Sequence, residues 1–144
     1  VSFLGRFEFA LDAKGRVSLP AEYRRKVEGT RFVLIQSETT HLTLFPEDVW
    51  KHVSERMLEL RRVRRDLAPM LRDMMARGTV VEPDKQGRIL IPAFLKDAAK
   101  LDGGALLVGQ EDRIEIWNPE TYKQLHTGLE ADARVAEEIH RIFG

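Results

Sequence analysis

The sequence predicts an α+β protein made of two tandem copies of one unit: strand, turn, strand, helix, strand, strand, helix. Three observations predict it. The segment Asp12-Ala13-Lys14-Gly15-Arg16-Val17-Ser18-Leu19-Pro20-Ala21 returns as Asp84-Lys85-Gln86-Gly87-Arg88-Ile89-Leu90-Ile91-Pro92-Ala93, 72 positions later in a chain of 144 residues. Such self-similarity is the mark of a repeated structural unit. Around each copy the apolar residues alternate with period two, as in half-buried strands. Beyond each copy they recur at three and four, as along one face of a helix.

In chain order, Phe7, Phe9 and Leu11 alternate with Arg6 and Glu8, which predicts a strand over 3–11. Asp12 to Gly15 reads as a turn: the aspartate accepts bonds from nearby backbone N–H groups and glycine takes a positive φ. Arg16 to Leu19 resumes as a strand with Val17 and Leu19 inward, so the three pieces read as a β-hairpin with Lys14 and Arg16 at its tip. Pro20 suits the first position of a short helix over 20–27, which Gly29 ends. Strands are expected at 30–35 and 41–45, joined by a polar turn at 36–40. Pro46-Glu47-Asp48 opens a long helix, with acidic groups where the helix dipole favours them. Val49, Val53, Met57 and Leu60 form its apolar stripe, widened by Trp50 and Leu58, and Pro69 breaks or restarts it.

The second half repeats the plan. Strands are expected at 78–83, 88–91, 105–108 and 113–117, with a turn at 84–87 and a short helix at 92–100. Asn118 caps a final helix with Pro119 at its first position, and Leu125, Leu129, Ala136, Ile139 and Phe143 line it. Gly128 weakens that helix locally. The offset of 72 extends past the motif, matching Leu34 with Leu106, Leu44 with Ile116, Phe45 with Trp117 and Trp50 with Tyr122. The organisation expected is a first unit at 1–48, a helical connector at 49–77, a second unit at 78–121 and a C-terminal helix at 122–144.

Composition narrows the function classes. Hydrophobic content of 43% with 32% charged residues is that of a globular protein. No apolar run approaches the roughly 18 residues of a membrane span, so no membrane partner is expected. No basic segment followed by an apolar run opens the sequence, so no secretory signal is expected. Without cysteine there are no disulfides and no thiolate metal sites, which fits a cytoplasmic protein. Lys plus Arg and Asp plus Glu both number 23, so any nucleic-acid contact must use local positive charge. His41, His52, His126 and His140 lack a metal-ligand spacing such as His-Glu-x-x-His, so no metal site is expected. There is no Gly-x-Ser-x-Gly nucleophile motif. Asp12 and Asp84 could pair across a pseudo-two-fold axis, but cationic residues follow both, so no catalytic residues, cofactor or small-molecule substrate are expected.

The duplicated Asp-x-x-Gly-Arg-x-x-x-Pro-Ala resembles the MraZ family of bacterial transcriptional regulators, in the AbrB/SpoVT superfamily, over essentially the whole chain. The resemblance implies two AbrB-like swapped-hairpin units forming a small β-barrel with pseudo-two-fold symmetry, plus helices after each unit. It also implies a sequence-specific regulator binding double-stranded DNA at short direct repeats upstream of division and cell-wall genes. Assembly as a homo-oligomeric ring, in the cytoplasm and on the nucleoid, is implied as well. The DNA-binding residues would be Lys14, Gly15, Arg16, Lys85, Gln86, Gly87 and Arg88. Cations at a hairpin tip can displace counterions from phosphates, and an arginine fork can read O6 and N7 of guanine. The glycines would let the backbone come close. Because Lys14 has no basic counterpart at position 86 and Lys85 none at position 13, the two tips need not be equivalent. The alternative for the motif is an Asp12–Arg16 and Asp84–Arg88 ion pair that rigidifies each turn. For Arg61 to Arg65, a solvated helix face is favoured over phosphate contacts. Met70, Met74 and Met75 read as core or subunit interface. The alternative for the whole protein is a ring-forming scaffold or a non-specific nucleoid-associated protein.

Overall fold

The computed structural model describes residues 2–26, 31–129 and 132–144. Among the described residues there are eight strands: β1 (Arg6–Ala10), β2 (Arg16–Ser18), β3 (Phe32–Glu38), β4 (His41–Pro46), β5 (Thr79–Val81), β6 (Arg88–Leu90), β7 (Gly104–Gln110) and β8 (Arg113–Trp117). The helices are α1 (Ala21–Arg24), α2 (Glu47–Val63), α3 (Ala68–Ala76), α4 (Ala93–Ala98), α5 (Pro119–Leu125) and α6 (Ala133–Phe143).

Six strands form an antiparallel sheet in the order β1-β7-β8-β4-β3-β5, and among the described residues β2 pairs only with β6. The hairpin expected from β1 through Asp12 to β2 is therefore not made. β1 pairs with β7 of the second half, and β2 with β6 of the second half. The turn keeps its local bonds, but the strands either side of it bury their apolar faces against the other copy. The closed barrel is also not completed by hydrogen bonds. β1 and β5 are the edges of the sheet, and no pairing joins them among the described residues. The β2–β6 ribbon instead lies over the inner face. Val17, Leu19, Ile89 and Ile91 share one core with Leu34, Leu44, Leu107 and Ile116. Tyr23 of α1 and Leu95 of α4, counterparts 72 apart, enter the same core.

Strand alternation sends every second residue to the outer face. There Trp50 of α2 packs on Phe45, with ring centroids 5.6 Å apart, and Tyr122 of α5 packs on Trp117 at 5.3 Å. These two pairs are repeat-related, as the sequence predicts. The match of Leu34 with Leu106 is not kept. Leu34 sits opposite Leu44, whereas Leu107, not Leu106, sits opposite Ile116. The offset is thus 73 along β3 and β7. A register shift between Ile35 and Glu38 absorbs the extra residue before Glu38 pairs with His41, as Gln110 pairs with Arg113. A bulge lets one strand carry two residues where its partner carries one.

Helix boundaries follow their capping residues. Pro20, Pro46 and Pro92 stand just before α1, α2 and α4 with extended ψ, one place earlier than the first-turn position expected of Pro20. Gly29 lies outside the described residues. The polar turn between β3 and β4 shrinks to Thr39 and Thr40, because Gln36 to Glu38 belong to β3. α2 stops at Arg64, whose extended ψ of 83° precedes a 3-10 turn at Arg65–Leu67, and Pro69 then lies in the first turn of α3. The single C-terminal helix expected is two helices, α5 and α6, with Gly128 at φ +77° between them. Asn118 Oδ1 accepts from the N–H groups of Glu120 (2.8 Å) and Thr121 (3.1 Å), and its amide donates to Lys100 O at 2.7 Å. Asn118→Ala is expected to cost about 1 kcal/mol, seen as a fall in Tm of roughly 2–4 °C.

Candidate nucleic-acid interface

The spacing of 72 dictates the geometry of the ribbon. Val17 pairs with Ile89, its own repeat counterpart, flanked by Arg16 with Leu90 and Ser18 with Arg88. A residue facing its own counterpart lies on a pseudo-two-fold axis. The same axis passes through the large sheet where Thr43 faces Glu115, again counterparts. With Val17 and Ile89 buried in the core, alternation turns Arg16, Ser18, Arg88 and Leu90 to the outside. The two arginines stand on either side of the axis.

Each arginine is held by its turn. Asp12 Oδ1 accepts from the backbone N–H of Lys14 (3.0 Å) and of Arg16 (2.8 Å), and Oδ2 accepts from Arg16 Nε at 2.6 Å. Asp84 repeats the set with Gln86 N, Arg88 N and Arg88 Nε at 2.9, 2.9 and 3.0 Å. The ion-pair reading of the motif is therefore realised, and it aims the guanidinium groups rather than burying them: Arg16 and Arg88 keep about a third of their side-chain surface. Lys14, Lys85 and Gln86 are exposed beside them.

The glycines serve the contact between copies. Gly15 and Gly87 adopt φ +85° and +78° and are buried. Gly15 O accepts from Ile91 N (2.9 Å), and Gly87 O accepts from Leu19 N (2.8 Å), so each turn is tied to the strand end of the other copy. A Cβ on Gly15 would lie 3.0 Å from Ile91 O.

The two tips are not equivalent. Gln86 N takes the place of Lys14 N in its turn, so the lysine does move by one position. Arg88 also reaches Asp12, with Nη1 3.7 Å from Oδ2, and so lies between both aspartates. Arg16 bonds only its own aspartate among the described residues. Arg24 covers Gly87, where a Cβ would come within 2.6 Å of its Cζ, and donates from Nε to Leu19 O at 3.1 Å. The repeat counterpart of Arg24 is Lys96, so this cover exists on one tip only. Sequence reasoning missed Arg24 and the outward Leu90, which is 52% exposed. The only signal was the mismatch of each with its counterpart, Lys96 and Ser18.

The backbone N–H groups of Arg16 and Arg88, offset in part by burial, and the arginine side chains hold the Asp12 and Asp84 carboxyls below the ordinary value of 3.8. A depressed carboxylate stabilises the fold at pH above its unfolded pKa, and that contribution is lost as pH falls through the folded pKa, here below 3.8. Asp12→Asn with Asp84→Asn is expected to flatten the dependence of Tm on pH below about pH 4, in thermal melts across pH 2–7. An acid limb as steep as that of the parent would rule this out.

Elsewhere, Arg62 pairs with Glu59, and Arg64 with Asp66 at 2.7 Å, so part of the Arg61–Arg65 run is spent on exposed local pairs. No helix of the described residues is long and apolar enough to cross a membrane.

Fold and interface together define a class: two fused strand–turn–strand–helix units that exchange strands and present one arginine-flanked ribbon on a pseudo-two-fold axis. The chain matches a family model described as "MraZ protein, putative antitoxin-like" twice, over residues 2–68 and 74–142. It belongs to the MraZ family. Among its curated relatives it is 38% identical to the transcriptional regulator MraZ of Lactiplantibacillus plantarum, over 90% of this chain and 92% of that one. It is 41% identical to the transcriptional regulator MraZ of Thermomicrobium roseum, over 83% and 84%. For that of Desulforamulus reducens the figures are 35%, over 95% and 96%.

Proposed function

We propose that this protein is a sequence-specific, non-enzymatic transcriptional regulator that binds double-stranded DNA through the β2–β6 ribbon. Lys14, Arg16, Lys85, Gln86 and Arg88 make the contact, carried on turns that Gly15 and Gly87 shape. The observation that carries the reading is the ribbon itself, two antiparallel strands with an arginine on each side of the axis. A two-stranded ribbon fits the major groove, where an arginine fork bonds guanine O6 and N7. Lys14 and Lys85 then meet phosphates. Gly15 and Gly87 let each turn pack closely on the other copy, which fixes where the cations stand. Relatives that bear the name transcriptional regulator support the same reading.

The units at 1–48 and 78–121 supply one turn each, with helical segments at 49–77 and 122–144 as the surfaces for self-assembly. Val63, Met70, Ile142 and Phe143 leave 63–84% of their surface exposed, which supports a homo-oligomer. A ring would repeat the ribbon and turn weak contacts into an avid one on short direct repeats upstream of division and cell-wall genes, on the cytoplasmic nucleoid. The same exposed residues favour the second reading, a scaffold or a non-specific DNA binder. Recovery of protein-bound fragments from sheared genomic DNA separates them. Enrichment of one short tandem repeat upstream of such genes is expected, and recovery without sequence preference would overturn the operator reading.

A further inference from the structure

The outer face of the sheet holds a cluster that the DNA contact does not use. His41 stands at the start of β4, with its side chain only 4% exposed and stacked on Trp117 at 4.4 Å between ring centroids. Its Nε2 lies 3.2 Å from Glu38 Oε2 and 3.1 Å from Glu115 Oε2. Yet Nε2 is without a hydrogen-bond partner among the described residues, because neither oxygen lies where an in-plane N–H would point. The short distances alone would suggest an ion pair. The direction of the nitrogen leaves neither contact a hydrogen bond.

The shells around the cluster fix its chemistry. Thr40 Oγ1 is 2.7 Å from His41 Nδ1 and accepts when that nitrogen carries the proton. Nε2 then keeps a lone pair beside two carboxylate oxygens, and a cation placed between them would satisfy all three acceptors. Trp117 Nε1 donates to Glu115 Oε1 at 3.0 Å, which leaves Oε2 for the cluster. At the repeat-related position, Arg113 lies over the Phe45 ring at 4.8 Å, as His41 lies over Trp117. A permanent cation fills that position in one copy. In the other, an imidazole and two carboxylates stand ready to hold one.

We propose that Glu38, His41 and Glu115 form a site for a first-row divalent metal ion, with Zn²⁺ the ion of best fit. The donor atoms all lie within 4.8 Å of one another. Bonds of about 2.0–2.1 Å around a tetrahedral ion give donor–donor edges of ~3.3 Å, close to the 3.1 and 3.2 Å seen from Nε2. An imidazole ligand with so few oxygens disfavours Mg²⁺ and Ca²⁺, which seek six or more oxygens including water. Glu38 is 69% exposed, so the remaining coordination position opens to solvent. Glu38 and His41 flank the β3–β4 turn, whereas Glu115 belongs to β8. An ion here would clasp the first copy to the second beside the pseudo-two-fold axis. Sequence spacing conceals the set, because one ligand is 74 residues from the histidine.

The test is equilibrium dialysis of the untagged full chain against Zn²⁺, paired with thermal melts. One Zn²⁺ per chain and a rise in Tm with Zn²⁺ are expected. Glu38→Gln removes an exposed ligand, so the metal-free Tm should hold while Zn²⁺ affinity falls at least ~10-fold, the scale of even an indirect ligand partner. His41→Gln should bind no better than Glu38→Gln. His126→Gln and His140→Gln should bind as the parent does. No saturable Zn²⁺ on the parent chain, or unchanged affinity in Glu38→Gln, overturns the site.

Discussion

Arg16→Ala combined with Arg88→Ala is expected to lower affinity for the recovered operator at least ~30-fold at physiological salt, with each lost arginine–base contact costing about 1–3 kcal/mol. The fold should persist. The Asp12–Arg16 and Asp84–Arg88 pairs are about a third exposed, and pairs of that kind contribute roughly 0–1 kcal/mol. Both aspartates keep their backbone bonds after the change. The single variants should differ. Arg88 must leave two aspartates to meet a base, whereas Arg16 leaves one, so Arg16→Ala should cost the larger share. Gel shifts at several salt concentrations separate these effects from charge alone. Lys14→Ala should weaken all sequences alike and reduce the salt slope by about 0.9. Unchanged operator affinity in the double variant would remove the ribbon from the interface.

The largest effect on stability is expected from Gly109→Ala, at about 2–5 kcal/mol. Gly109 has no positive φ to defend. What it lacks is room: a Cβ there would lie 2.6 Å from both the carbonyl carbon and oxygen of Phe3, and 2.7 Å from Leu4 N. These are backbone atoms, so no side chain can swing aside. The segment is pinned by Gly109 N to Gly5 O (2.8 Å), Glu111 N to Phe3 O (2.9 Å) and Phe3 N to Glu111 O (2.7 Å). To admit the methyl, residues 3–5 must lift. That draws Phe3, fully buried and edge-on to Tyr23 at 5.3 Å, out of the core. It also separates the Tyr23 hydroxyl from Leu4 O and Gly5 O. Losing most of a buried phenylalanine costs about 3–5 kcal/mol, and partial relaxation lowers that figure. At roughly 2–4 °C per kcal/mol, Tm should fall by about 5–15 °C. Urea unfolding gives the same quantity as a shift in midpoint, and a loss below about 1 kcal/mol would show that the segment has slack.

Features that rest on a few neighbouring residues were legible in the sequence. Asp12 and Asp84 make the turn bonds expected of them, because an aspartate reaches N–H groups two and four residues on without help from the rest of the chain. Asn118 caps α5 for the same reason. The inward faces of β2, β4, β6 and β8 also follow from alternation alone.

Pairing and register were a different matter. Alternation tells which face of β1 is apolar, but not which strand will lie beside it. The nearest neighbour, β2, was the obvious partner and the wrong one: β1 pairs with β7 and β2 with β6, an exchange that only the family resemblance implied. The extra residue in β3 passed unseen because Leu106 and Leu107 look alike in sequence, and only their partners across the sheet tell them apart. Gly109 and His41 are plain residues in the chain until backbone and carboxylates from distant segments close round them. By itself, then, the sequence determined the duplicated unit, its turns, its caps and its buried faces, all set by interactions within a few residues or by one periodicity. The tertiary structure decided strand exchange, the slip in register, the unequal arginines and the His41 cluster. Each of these depends on burial and charge shared between residues far apart in the chain, and no local pattern encodes that.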